Sequence, residues 1–502
     1  MSTTPFLDHI KAGYTFKGEK IRIGSAMHNK EVVKGAEIYA ALKTLNRHGL
    51  IAGATGTGKT KTLQGMAEAL SAAGVPSLVM DMKGDLSGLA AAGGGHPKID
   101  ERMALLELPW EPIPFPCEFL TISDEPGARL RATISEFGPV LLSKILDLNP
   151  TQGGVISLIF KYADDNDLPL LDIKDLRKLL QYVGKEGKAK IEEEYGLVSP
   201  ASVGAIMRKL LEVEEQGADR FFGEISFDID DLMRKDDNGY GFINVLRLTD
   251  MQGKPKLFST FMLCLLAEIY SEMPEKGDAD KPELVVFIDE AHLIFRDASK
   301  ALMQQLDTIV KLIRSKGVGL IFVTQDPTDV PDNILGQLGL KVQHALRAFT
   351  EKDRKAIKAT AENYPISEFY DTNELITQLG IGEAFITLLN EKGIPTPLAH
   401  TMLCAPRSRM DILEPSELKS CVAKSEIAAK YNKEVDSESA YEMLTEKLKK
   451  SKKIAEEESV KEKKKPIRSR GQSVGTKFVK SLFSSQNINL VIRGVLGILK
   501  KR

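Results

Sequence analysis

Residues 53–60 read Gly-Ala-Thr-Gly-Thr-Gly-Lys-Thr and fit G-x-x-x-x-G-K-[ST] without departure. No other stretch of the 502-residue chain limits the fold as much. Glycines let the backbone curl until successive N–H groups point inward at one anion. The curl needs a buried strand before it and, after it, a helix whose positive end meets the same charge. Both neighbours are present. Leu50-Ile51-Ala52 is a short apolar strand, and Leu63, Met66, Ala67 and Leu70 recur at helical spacing after the loop. Ala72-Ala73-Gly74 ends that helix, and Val75–Met80 reads as a second buried strand closing on Asp81. Strand, helix and strand within about 30 residues make a βαβ unit, and therefore a parallel sheet.

The residue types assign chemistry to the loop. Main-chain amides from Gly53, Ala54, Thr55, Gly56, Thr57, Gly58, Lys59, Thr60 and Lys61 are expected around a polyphosphate. Lys59 reaches the β- and γ-phosphates, and the Thr60 hydroxyl goes to Mg²⁺. The expected ligands are ATP and Mg²⁺; no N-K-x-D-like element for a guanine base appears. A second apolar strand, Leu284–Ile288, ends in Asp289-Glu290. Such a pair suits a metal-holding carboxylate, Asp289, and a general base for the attacking water, Glu290. His292 follows on the turn, and we assign it no chemistry.

The strand Val318–Thr324 ends at Gln325. Ligands in parallel sheets sit at the carboxyl ends of strands, so Gln325 is placed to sense a γ-phosphate. Arg314 closes the helix expected over 301–316. It lies at the edge of the stripe Leu302, Leu306, Ile309, Val310 and Ile313, whereas Lys311 lies opposite. The residues alone leave it either a finger for a neighbouring subunit or a cation complementing the helix C-terminus.

Further strands are expected at Gly241–Leu248, Lys341–Phe349, Glu383–Leu389 and 396–403. Between about 100 and 235 helical periodicities dominate, as in VLLSKILDL and IKDLRKLLQYV, and this part reads as a helical insertion. The four cysteines form no CxxC pair, which argues against zinc and against a disulfide framework. The first residues lack a signal-peptide layout, and no apolar run is long enough to cross a bilayer, so a cytoplasmic protein is expected.

Charge is unevenly spread. Residues 447–502 hold 17 Lys or Arg against four Glu, a net +13, which leaves −15 on the rest of a chain whose formal total is −2. A basic tail on an acidic body suits an anionic partner, either nucleic acid or an anionic membrane surface. Ile488, Val491, Ile492, Val495, Leu496 and Leu499 give the tail one helix-sized apolar face, suited to packing on its own body, to contact between copies or to a membrane.

With these residues in hand, the chain resembles the HerA-like ATPases, in the wider group that includes the FtsK DNA pumps. The resemblance runs from about residue 21 to 415 and is carried by IGSAM, GLIAGATGTGKTKT, DMKGDLSGL, FIDEAHLIF, IRSKGVGLIFVTQDP, QLGLKVQHALRAFT and GIGEAFITLLN. More narrowly, the chain is similar to a bacterial HerA-like family of unassigned function that shares the middle LDLNPTQGGVISLIFKYADDNDLPLLDIKDL. The resemblance implies an α/β fold: a RecA-like P-loop NTPase core with a mainly parallel sheet, a helical insertion and a basic C-terminal tail. The expected segments are 1–48, a short N-terminal piece; 49–98 and 239–415, the two parts of the core; 99–238, the insertion; and 416–502, a charged tail.

The resemblance also implies a homo-oligomeric, hexameric ring with ATP between subunits. It maps the loop lysine and threonine onto Lys59 and Thr60, the acidic pair onto Asp289 and Glu290, the sensor onto Gln325 and the trans-acting arginine onto Arg314, with Arg347 as a second intersubunit arginine. Two departures stand out. Only 48 residues precede Gly49, where HerA carries a β-barrel, and the family's D-x-H-G-E element reads Asp81-Met82-Lys83-Gly84-Asp85. The implied activity is Mg²⁺-dependent ATP hydrolysis coupled to DNA translocation or unwinding. The alternative is a nucleotide-switched scaffold or membrane-surface assembly factor without motor activity.

Overall fold

The computed structural model describes residues 3–463, apart from 278, 297–299 and 436. The amphipathic segment 488–499 and the Lys/Arg blocks beyond 463 lie outside the described residues. One compact unit runs to Leu444, and what is described beyond it is the remainder of the helix Ala440–Lys463.

Twelve strands form one sheet. They are β1 (Lys20–His28), β2 (Glu31–Ala41), β3 (Gly49–Ala52), β4 (Ser77–Asp81), β5 (Cys117–Thr121), β6 (Ala128–Arg129), β7 (Ile243–Arg247), β8 (Leu284–Ile288), β9 (Val318–Thr324), β10 (Leu340–Gln343), β11 (Glu383–Thr387) and β12 (Ala399–Leu403). Their spatial order is β2-β1-β12-β11-β10-β3-β9-β8-β4-β7-β5-β6. From β10 to β6 every pairing is parallel, and from β10 to β2 every pairing is antiparallel. Every residue of β3, β4, β8 and β9 is buried, as expected of a parallel sheet covered on both faces.

The helix Lys59–Ala72 supplies part of that cover. Its Leu63, Met66 and Leu70 share one core with Val79 of β4, Val285 and Phe287 of β8, and Ile321 of β9. Each such side chain contributes about 1.5–3 kcal/mol by leaving water. The strands expected at Leu284–Ile288 and Val318–Thr324 form with those bounds.

Two regions differ from the sequence expectation. The stretch 99–238 is not helical throughout: β5 and β6 lie within it, and β5 pairs with β7 as a further parallel strand. A short strand buried on both faces has no two-residue alternation, so its text resembles that of a buried helix. The five helices Ile134–Ile145, Pro150–Asp165, Ile173–Gly184, Lys188–Tyr195 and Pro200–Glu215 follow it. The strand expected over Lys341–Phe349 stops at Gln343. Beyond it the chain spends its hydrogen bonds elsewhere: the Ala345 carbonyl accepts from Ala54 N at 2.8 Å and Leu346 N donates to Ile376 O at 3.2 Å. The residues before Gly49 form a helix, Thr3–Tyr14, and the β1–β2 pair, which joins the same sheet through β12.

Candidate functional site

The loop after β3 curls as the glycines require. Gly53, Gly56 and Gly58 all have positive φ, 152°, 79° and 112°. A Cβ on Gly53 would come within 2.5 Å of the His344 Cβ, whereas one on Gly56 would meet nothing within 4 Å. The closed side of the curl therefore rests on the protein and its other side is open. Gly53 N donates to Thr324 O at 3.3 Å, the Thr57 hydroxyl donates to Ala54 O at 2.7 Å, and Gly382 N donates to Thr57 O at 3.1 Å. The first intrahelical donor after the loop is Thr62 N, to Gly58 O at 2.9 Å, so the amides of Lys59, Thr60 and Lys61 stand at the positive end of the helix Lys59–Ala72.

Lys59 is buried and donates to Ala54 O at 3.2 Å. Burial lowers its pKa, the Lys83 ammonium adds to that, and Glu290 and Asp289 oppose both. Lys61 turns the other way. Its ammonium is held by Met410 O and by Gln64 Oε1, so of this residue only the main-chain amide serves the curl.

Asp289 and Glu290 follow β8, at the same end of the sheet. Asp289 is buried, and its Oδ2 has no hydrogen-bond partner. Burial drives its carboxyl up to about 7, with Glu290 and Asp85 adding to the shift and Lys83 opposing it. An orphaned buried carboxylate oxygen beside a phosphate loop fits a divalent cation. Among the described residues no cage of three His, Cys, Asp or Glu exists. Mg²⁺ takes one or two protein ligands and draws the rest from phosphate and water. Asp289 and the Thr60 hydroxyl are the residues that would hold it.

Glu290 sits in the left-handed backbone region, φ 48°, uncommon for a residue with a side chain. Its Oε1 takes an ion pair from the Lys83 ammonium, whereas Oε2 has no hydrogen-bond partner, although His292 Nδ1 lies 3.2 Å from it. The ion pair is not legible from spacing, because Lys83 follows β4 and meets Glu290 only through the pairing of β4 with β8. The turn carrying Lys83 wraps a single carboxylate: Asp81 accepts from the amides of Gly84, Asp85 and Leu86 at 2.7, 3.1 and 3.2 Å. Burial pushes Asp81 up to about 6, with Asp85 adding and the three amides opposing.

His344 is a second residue that the sequence did not point to. It is fully buried beneath the loop, with Nε2 2.8 Å from the Thr62 hydroxyl. Burial, and then the Lys59 charge, lower its pKa to about 4, so it is neutral.

Gln325 is exposed at the end of β9, on the loop's side of the sheet. Arg347 is exposed past β10 at that same end. Arg314 is not brought to the others. It lies in the turn Ile313–Lys316, before β9 begins, so the length of that strand, about 20 Å, separates it from its own loop. His48 fixes this turn: Nδ1 accepts from Leu320 N at 3.0 Å, which leaves Nε2–H to donate to Val310 O at 2.7 Å.

Residues 27–495 match the family described as Helicase HerA-like C-terminal. The DNA double-strand break repair helicase HerA of Sulfurisphaera tokodaii is 26% identical over 384 residues, covering 74% of this chain and 67% of that protein. The HerA of Sulfolobus acidocaldarius is 24% identical over 377 residues, with the same coverage of 74% and 67%. In structure, the plasmid coupling protein TrwB in complex with a non-hydrolysable ATP analogue matches with a TM-score of 0.51 at 14% identity, over 80% of this chain and 99% of that one. At that identity the likeness speaks to the fold alone, a RecA-like P-loop core. The family match spans most of the sequence, and the chain belongs to the HerA-like family of P-loop ATPases.

Proposed function

We propose that this protein is a Mg²⁺-dependent ATPase that works as a ring of identical subunits, with DNA as the polymer it moves along or unwinds. The observation that carries the ATPase reading is the meeting, at one end of the sheet, of an open amide curl, the Lys59 ammonium, an orphaned Asp289 oxygen and the Glu290 carboxylate.

In this reading Lys59 and the loop amides up to Lys61 that are not spent on Thr324 O, Ala345 O and Ala54 O, as those of Gly53, Ala54 and Thr57 are, bind and orient the triphosphate. Asp289 and Thr60 hold Mg²⁺, whose charge would offset that of the phosphate oxygens. Glu290 takes the proton of the attacking water. Gln325 contacts the γ-phosphate and reports its loss to β9.

The ring reading draws on Arg314: an arginine a strand's length from its own loop is placed to serve a neighbour's site rather than its own. There it stabilises charge on the transferring phosphoryl, an effect of roughly 10³–10⁵ in rate. Arg314→Ala is expected to retain nucleotide and lose turnover. Mixing it with Glu290→Gln subunits should restore part of the rate, because each lends what the other lacks. Turnover unchanged in Arg314→Ala removes the finger.

DNA is supported by the two relatives, both named as DNA double-strand break repair helicases. The test is ATP hydrolysis by the full-length protein with single- and double-stranded DNA at low and high salt. Stimulation that weakens with salt supports a DNA motor. A rate indifferent to DNA and salt rejects the motor and favours the nucleotide-switched scaffold.

A further inference from the structure

In the arrangement described above the Glu290 carboxylate is shared with a cation: the Lys83 ammonium caps Oε1, and Oε2 is left without a hydrogen-bond partner. The ammonium occupies one of the two oxygens to which a water could donate. Lys83 also lies near enough to Lys59 to lower that lysine's pKa. Two ammonium groups and two carboxylates therefore crowd one end of the sheet, and the cations are held beside the mouth of the amide curl.

The backbone beneath Lys83 is fixed while its side chain is not. Asp81 ties down the amides of Gly84, Asp85 and Leu86, and Gln252 Nε2 donates to Met82 O at 2.6 Å. The Lys83 side chain itself is 40% exposed, against 10% for Glu290. A flexible four-carbon stem on a rigid turn can exchange partners without moving the fold.

We propose that Lys83 is a latch on Glu290 that the γ-phosphoryl group of the substrate opens: the ammonium caps the carboxylate when no triphosphate is present, and transfers to the γ-phosphate oxygens when one arrives. The exchange leaves Glu290 free to accept a proton from water and gives the γ-phosphate a second cation beside Lys59. A diphosphate has no oxygen in that position and leaves the latch closed. Lys83 is thus a positioning residue for Glu290 and a discriminator between nucleoside triphosphate and diphosphate. The inference rests on the ATPase reading and adds the regulation of its site.

The latch is tested by binding. Fluorescent ADP and a fluorescent non-hydrolysable ATP analogue are titrated onto the full-length protein with magnesium. Lys83→Met is expected to weaken the analogue about tenfold, the scale of one charge-assisted hydrogen bond, and to leave ADP unchanged. Lys83→Arg keeps the cation and should keep the discrimination. Glu290→Gln removes the charge that holds the latch shut. It should tighten the analogue about threefold, within the range of a partly exposed ion pair, again with ADP unchanged. This last arm reads the same exchange should Lys83→Met fold poorly. Equal losses for both nucleotides in Lys83→Met, or none, overturn the latch while the ATPase reading stands. Wild-type protein that takes up neither nucleotide overturns both.

Discussion

Two turns stand at the carboxyl end of the sheet, after β3 and after β4, and they are built by opposite means. The turn after β3 is held by main chain and glycine: positive φ at three positions, amide-to-carbonyl contacts, and a histidine packed where a Cβ would otherwise go. The turn after β4 is held by one side chain, the Asp81 carboxylate, which gathers three amides. The first spends the amides of Gly53, Ala54 and Thr57 on the protein and keeps those at the start of its helix open toward a ligand. The second consumes its amides internally and offers only the tip of Lys83. A backbone cradle writes its requirements into spacing, because only Gly tolerates those dihedrals. A side-chain hub needs one acid and leaves its neighbours free, so it leaves almost no pattern in the text.

The contrast can be broken in three ways. Lys59→Ala strikes the cradle's charge and carries the largest expected effect. Steady-state assay should show turnover down by about 10³-fold or more, with triphosphate retention lost, as when a preorganised electrostatic contact is removed. Asp81→Ala strikes the hub. Three amides, that of Leu86 buried and the others half-buried, lose a charged acceptor, and denaturant unfolding should show a loss of about 2–4 kcal/mol. ADP affinity should hold within about twofold, since the cradle does not depend on that carboxylate. A fall in ADP affinity matching that of Lys59→Ala would mean that the two turns are one unit. Asp81→Asn keeps one acceptor oxygen and should cost about half as much.

The smallest effect concerns His344, the strut beneath the cradle. Its pKa is about 4 in the fold against 6.5 for an ordinary imidazole. The unfolded chain therefore binds a proton between those values that the native chain refuses. Its contribution is unaffected above pH 6.5, is lost progressively as pH falls toward 4, and amounts to no more than about 3 kcal/mol. Unfolding free energy measured against pH should fall less steeply across that window in His344→Gln than in wild type. Identical slopes would show that His344 is not buried neutral under the loop.

How far the sequence could be read follows from the same contrast. The cradle, the acidic pair and β8 and β9 were legible because each is a local pattern: dihedral-demanding glycines, or an apolar run ending in a polar residue. The meeting of Lys83 with Glu290, and of His344 with Thr62, joins residues far apart in the chain through sheet order, which spacing does not encode. β5 escaped because a strand of five residues buried in a parallel sheet lacks alternation, and it stands among helical stretches. The extra length expected of β10 came from an apolar text, His344-Ala345-Leu346, whose backbone bonds go to the cradle and to the segment around Ile376. Lys61, expected among the phosphate contacts, points its ammonium at Met410, a contact fixed by the chain's return more than three hundred residues later.

The placement of Arg314 has a consequence for how the protein behaves in dilute solution. Under the proposed role of Arg314, whose turn lies a strand's length from its own loop, a solitary copy would load nucleotide and still lack a part needed to spend it. Specific activity should then climb with protein concentration and level off once every copy has a companion, while nucleotide occupancy per copy stays flat.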